Sequence, residues 1–66
     1  MANFRDVNRA IRARFPGLDI EVVRGAGYVY FDGDDGWEIE SLYVYPPTVP
    51  TPDLIRMATE QINAAQ

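Results

Sequence analysis

The chain has 66 residues and a formal net charge of −4, and it contains no cysteine, histidine or lysine. The absence of cysteine and histidine excludes a disulfide and argues against a zinc site. The usual catalytic bases and nucleophiles are also missing, so we expect no enzyme, no catalytic residue and no cofactor. No apolar run reaches the roughly 20 residues of a membrane span, and the early charges argue against a signal peptide. We therefore expect one soluble cytoplasmic domain over residues 1–66.

The first predicted element is a helix. Asn3 can cap it, because its side-chain oxygen can accept a hydrogen bond from an early backbone N–H. Pro16-Gly17 ends it, since proline cannot continue a helix. Apolar residues recur at helical spacing and predict one buried stripe: Phe4, Val7, Ile11 and Phe15.

From Leu18 the apolar residues alternate, which predicts strands. Gly25-Ala26-Gly27 is typical of a tight hairpin turn, and residues 28–32 form the second predicted strand. Residues 33–36 are then expected to turn, with a third strand over residues 37–45. Pro46, Pro47 and Pro50 forbid further strand pairing. Thr51 can cap a final helix in which Pro52 takes the first turn.

The predicted fold is therefore α+β, with a three-stranded antiparallel sheet, two helices on one face and the order αβββα. Pairing of the second hairpin about Asp34-Asp35 divides the strand residues between two partly apolar faces. We expect one face in the core, with Val29, Phe31, Leu42 and Val44. The other face would stay partly exposed to solvent, with Tyr28, Tyr30, Trp37, Ile39, Tyr43 and Tyr45. A bulge near Ser41 would change this assignment.

The charges are strongly segregated. Residues 1–14 hold four arginines and one aspartate, a net of 4 − 1 = +3, and residues 19–40 hold one arginine and seven acids, a net of 1 − 7 = −6. We expect the arginines to pair with the protein's own acids, an acidic partner or lipid being the alternative. The acidic block should repel nucleic acid and attract a basic protein surface. The residues predicted to bind that partner are Asp32, Asp34, Asp35, Trp37, Glu38, Glu40, Tyr28, Tyr30 and Tyr43.

Other site types fit the sequence poorly. Residues 32–38 are similar to a calcium loop, but Gly36, Trp37 and Tyr43 stand at its fifth, sixth and twelfth positions, so no metal site is expected. The element order is also that of double-stranded-RNA-binding domains, yet Asp53 starts the second helix where those domains need basic residues. Carboxylate pairs such as Glu38 and Glu40 would need a deep cleft for catalysis.

Three motifs carry a resemblance: Gly27-Tyr28-Val29-Tyr30-Phe31, Ser41-Leu42-Tyr43-Val44-Tyr45 and Thr51-Pro52-Asp53-Leu54. Over most of residues 18–62 the chain resembles a group of small, acidic bacteriophage and prophage proteins, a class that includes anti-CRISPR inhibitors. The resemblance implies a phage-encoded, DNA-mimicking monomer in the cytoplasm of the host bacterium. It would bind a basic nucleic-acid-binding surface of a type I CRISPR effector complex and block DNA recognition. The alternative is a small phage structural or adaptor protein that self-associates through the tyrosine-rich sheet face.

Overall fold

The computed structural model describes residues 2–66 as two helices that pack together, the first of which also packs against a β-hairpin. Helix α1 spans Phe4–Arg14, strand β1 Glu21–Arg24 and strand β2 Val29–Asp32. A 3₁₀ turn at Pro46–Thr48 then leads into helix α2, Thr51–Ala64. The fold is α+β, as expected, but the order of elements is αββα.

The predicted three-stranded sheet is wrong. The sheet has two antiparallel strands, and what remains of the third is a single bridge in which Leu42 pairs with Val29. The pairing about Asp34-Asp35 would have put Val29 opposite Glu40. Residues 33–39 instead curl into consecutive turns, in which Trp37 N–H donates to Gly33 at 3.2 Å and Ile39 N–H to Gly36 at 3.0 Å. These turns carry the chain away from β2, so residues 37–40 do not pair with it.

The two helices begin as the sequence indicates, with one difference. The Asn3 side chain caps α1 by accepting from the N–H groups of Arg5 and Asp6, at 3.0 and 3.3 Å. The expected cap at Thr51 is wrong, because α2 begins at Thr51 itself and Pro50 precedes it without a side-chain cap. The Thr51 hydroxyl instead accepts from the backbone N–H of Asn3 at 2.9 Å and so joins the two helix N-termini.

The core lies between the helices and the inner face of the hairpin. The predicted core face is confirmed: Val29 and Phe31 are buried, and Leu42 and Val44 pack against the core partly buried. The prediction that Ile39 lies on the solvent-exposed face is wrong. Ile39 is buried, because the turns of residues 33–39 direct its side chain into the core. The buried apolar residues are Ala2, Val7, Ile11, Ile20, Val22, Val29, Phe31, Ile39, Val49, Leu54, Ala58 and Ile62.

One polar side chain is buried in this core and connects α1 to β1. The Asn8 amide nitrogen donates to the carbonyl oxygens of Phe4 at 3.0 Å and Val22 at 2.9 Å. Its oxygen accepts from the Val22 N–H at 2.6 Å. Asn8 therefore satisfies both outward backbone groups of Val22, as a neighbouring strand would. These hydrogen bonds fix the position of the hairpin relative to α1.

Candidate protein-binding site

The open end of the hairpin brings acidic side chains together. The strands pair so that Glu21 lies directly opposite Asp32 and Val22 opposite Phe31. Directly opposite residues on antiparallel strands share a face, with Cβ atoms about 5 Å apart. Since Val22 and Phe31 point into the core, Glu21 and Asp32 both point to solvent, and both are exposed. Two like charges are thus held side by side, an arrangement that costs stability.

Three further aspartates take part in a clamp between residue 19 and the turn at residues 33–36, two through their carboxylates and Asp34 through its backbone N–H. The backbone N–H of Asp19 donates to Oδ2 of Asp35 at 2.7 Å, and the Asp35 N–H donates to the Asp19 carbonyl at 3.0 Å. Oδ2 of Asp19 accepts from the Asp34 N–H at 3.0 Å. These bonds fix the backbone that carries all three exposed aspartates. We call Asp19, Glu21, Asp32, Asp34 and Asp35 the acidic end.

The turn that completes the acidic end depends on two glycines. Gly33 has a φ of +94°, in the left-handed region that side chains disfavour, and a Cβ there would collide with the Asp19 carbonyl oxygen. A Cβ at Gly36 would collide with the carbonyl oxygen of Asp32. Both residues therefore allow the backbone approach that draws the turn back against Asp19 and the end of β2.

The ion pairs on the two helices include no carboxylate of the acidic end. The ion pairs there are Arg9 with Asp6 at 3.6 Å and Arg56 with Glu60 at 3.1 Å, each within one helix. Of the four arginines of residues 1–14, Arg9 therefore pairs with an acid of the protein, as expected, but that acid lies outside residues 19–40. All seven acids of that block are exposed. The result is a concentrated negative field on a fixed support.

Trp37, Glu38 and Glu40 extend this surface beyond the acidic end. Trp37 is 69% exposed although it follows the buried Gly36, so an indole stands at the surface next to the carboxylate turn. Glu38 and Glu40 are exposed as well. The carbonyl of Glu40 accepts from Nε2 of Gln61 at 2.9 Å, which fastens the end of this segment to α2. Exposed tryptophans of this kind are enriched in protein interfaces and often contribute much of the binding energy.

The predicted tyrosines lie on the outer face of the hairpin. Tyr28 and Tyr30 are neighbours, with ring centroids 5.9 Å apart at an interplanar angle of 37°. Tyr43 is 81% exposed and Tyr45 61%, whereas Tyr30 is partly buried. The expectation that this face is partly wet is confirmed for these residues. Tyr30 and Asp32 alternate along β2 on one face, and Tyr28 directly precedes the strand, so the aromatic surface and the acidic end adjoin.

Sequence reasoning omitted Asp19 and Glu21 from the candidate site, although it counted both in the acidic block. The signal was present in the Gly25-Ala26-Gly27 turn. A two-residue turn at Ala26-Gly27 places residue 21 opposite residue 32, and this is the observed register. Applying that register would have placed Glu21 next to Asp32. The contribution of Asp19 arises from its hydrogen bonds to the later turn, which no local pattern encodes.

The surface depression that the structure shows is small for a ligand-binding pocket. A shallow depression of about 190 Å³ is lined by Arg14, Pro52, Ile55, Arg56, Thr59 and Glu60. Ligand pockets usually measure about 300–1,000 Å³. No residue of the acidic end lines this depression.

Comparison of the chain with protein-family models, with characterised proteins and with solved structures found no match. The resemblance to phage proteins therefore stays a prediction. Within residues 2–66, neither helix has the length and apolar character needed to cross a membrane.

Proposed function

We propose that this chain is a binding protein that places its acidic end, with Trp37 beside it, on a basic surface of another protein. The observation that carries the proposal is the fixed group of five carboxylates, none of them in an ion pair within residues 2–66. Self-repulsion among these charges costs stability, and a basic partner would relieve it. Because backbone hydrogen bonds already hold the turn in place, the turn would lose little conformational entropy on binding.

The partner chemistry that fits best is a surface built to hold phosphates. Arginine and lysine side chains that bind nucleic acid also bind carboxylates through short, charge-assisted hydrogen bonds. The acidic end would therefore compete with nucleic acid for the same cations. Trp37 and the tyrosines would supply the desolvated aromatic contacts on which protein interfaces depend.

The resemblance to phage proteins supports a specific target. We propose that the chain is a phage-encoded inhibitor that acts in the cytoplasm of the host bacterium. It would occupy the DNA-binding surface of a type I CRISPR effector complex, in an anti-CRISPR role. Inhibition would be stoichiometric, since the mechanism requires occupation of a surface and no reaction.

The test is a competition experiment with purified type I effector complexes from several subtypes. Labelled target DNA and increasing amounts of the protein are added in either order, and DNA binding is followed by gel shift. We expect at least one complex to lose DNA binding at near-equimolar protein, with a weaker effect when DNA is added first. If every complex bound DNA normally and none retained the protein on a sizing column, the target would be wrong.

A further inference from the structure

The shallow depression beside α2 has room for one aromatic side chain. Its volume is about 190 Å³, and a cavity of about 150 Å³ can hold a benzene ring. Pro52 and Ile55 supply apolar surface, and Arg14 and Arg56 supply positive charge. Arginine side chains also stack on the face of an indole ring. Glu60 is paired with Arg56 at 3.1 Å, whereas Arg14 belongs to neither ion pair of the helices. The depression therefore suits an aromatic side chain with acidic neighbours.

Trp37 has the complementary character. It is the single tryptophan of the sequence, and it is 69% exposed. Three exposed acids lie within three positions of it along the chain: Asp34, Asp35 and Glu38. Trp37 and the depression are thus matched in size, apolar character and charge, and both belong to this chain.

The segment that carries Trp37 and the depression lie on opposite sides of α2. Glu40, three residues after Trp37, is held by Gln61 of α2 at 2.9 Å. At 3.6 residues per turn, Gln61 lies about 170° around the helix from the centre of the residues that line the depression. The buried stripe of α2 separates the two sides and consists of Leu54, Ala58 and Ile62. A contact between Trp37 and the depression therefore joins two molecules.

We propose that Trp37 of one copy inserts into the depression beside α2 of a second copy. Arg14 and Arg56 of the second copy would contact the indole face and the neighbouring carboxylates of the first. Because the two surfaces lie on opposite sides of α2, two copies cannot exchange their tryptophans reciprocally. Each copy that accepts a tryptophan still offers its own. The contact is heterologous, so it would build assemblies of more than two copies, either rings or open chains.

The contact is weak, and it uses the surface that carries the proposed function. One inserted side chain buries less than a standard interface of about 1,200–2,000 Å², and the net charge of −4 on each copy opposes association. We therefore expect a dissociation constant on the order of 100 µM, so the chain stays monomeric at low micromolar concentration. Where the chain is abundant, self-association would compete with a basic partner for Trp37. The tests below use the chain alone, so their failure and the failure of the proposed function are distinguishable.

Trp37 is a natural reporter of the contact, since no other tryptophan contributes to the fluorescence. As the wild-type chain is concentrated from about 5 µM to 1 mM, its emission should shift to shorter wavelength and become harder to quench with acrylamide. Sedimentation over the same range should show masses above two copies. A monomer at every concentration would overturn the proposal, and so would a mass that stops at two copies.

Two variants block opposite halves of the contact. Trp37→Ala removes the inserted side chain, and Arg14→Glu reverses a charge of the depression. Each should weaken self-association by more than about tenfold. The matched controls Tyr43→Ala and Arg5→Glu change exposed residues that do not line the depression, and they should stay within about threefold of the wild type.

A mixture of the two variants tests the contact directly. Arg14→Glu keeps its tryptophan and Trp37→Ala keeps its depression, so together they should form a complex of two copies that neither forms alone. Because Trp37→Ala has no tryptophan, a shift to shorter wavelength on its addition comes from the Arg14→Glu chain. No shift on mixing would overturn the proposal, as would equal self-association of Trp37→Ala and Tyr43→Ala.

Discussion

Asn8 offers the sharpest test of how the hairpin is held against α1. In Asn8→Ala, the Val22 N–H and C=O both lose their partner inside the core. Each buried backbone group left unsatisfied costs about 1–3 kcal/mol, so the variant should lose about 2–5 kcal/mol of unfolding free energy. A chain of this length has roughly 3–10 kcal/mol in total. The variant should therefore be close to unfolded at room temperature.

The measurement is urea denaturation followed by circular dichroism. Asn63→Ala is the matched control, since Asn63 is exposed on α2 and should change stability by less than about 0.5 kcal/mol. Asn8→Asp adds a second signature: it keeps the acceptor for the Val22 N–H but replaces the donor to the Val22 carbonyl with a negative oxygen. Protonation restores a donor, so the deficit of Asn8→Asp should shrink as the solution is acidified. An Asn8→Ala variant as stable as Asn63→Ala would show that the hydrogen bonds of Asn8 to Val22 do not stabilise the fold.

Two further predictions concern the acidic turn and the core. Gly36→Ala should lower the unfolding free energy by about 1–3 kcal/mol because its Cβ meets the Asp32 carbonyl, while Gly17→Ala, where no atom lies within 4 Å, should not; thermal melts compare the two. Phe31→Ala should cost about 3–5 kcal/mol by leaving a cavity, whereas Tyr45→Ala, 61% exposed in the wild type, should be nearly neutral in urea denaturation. Equal losses within either pair would contradict the described packing.

The helices and the first hairpin could be predicted from sequence because their signals are local. Asn3 caps α1 as expected, and the Gly25-Ala26-Gly27 turn joins two strands in the register that its length sets. The inner face of the hairpin could also be predicted, since compact Val29 and Phe31 need no hydrogen-bond partner. Each of these features depends on residues within a few positions of one another.

The absence of a third strand could not be predicted from such local signals. Residues 41–45 have strand-forming composition, and a single bridge at Leu42 does form. The preceding residues turn away because Asp19 binds the backbone of Asp34 and Asp35, a contact between positions about fifteen residues apart. Pattern reasoning read Asp34 and Asp35 as an ordinary hairpin turn. It therefore missed both the clamp and the inward position of Ile39.

The candidate site was partly predictable for the same reason. An acidic block with exposed aromatics follows from composition and alternation, and the structure brings Asp32, Asp34 and Asp35 together. The inclusion of Asp19 and Glu21 required the strand register and the clamp. Aspartates 19 and 35 also accept hydrogen bonds from the backbone, so removing their side chains would damage the fold as well as the charge.

The role of the acidic end in binding can be tested by neutralising its other three carboxylates while Asp19 and Asp35 stay in place. Glu21→Gln, Asp32→Asn and Asp34→Asn together change the net charge from −4 to −4 + 3 = −1. Asp6→Asn, Asp53→Asn and Glu60→Gln make the same change on the helices and serve as the matched control. Each variant is titrated against a type I effector complex by biolayer interferometry at low and high salt.

We expect the acidic-end variant to stay folded and to lose at least about 100-fold in affinity, since each lost charge pair costs about 1–3 kcal/mol. Its salt dependence should flatten, while the helix control should bind within a few-fold of the wild type. Equal binding by both variants, with the wild-type salt dependence, would contradict the claim that the acidic end is the binding surface.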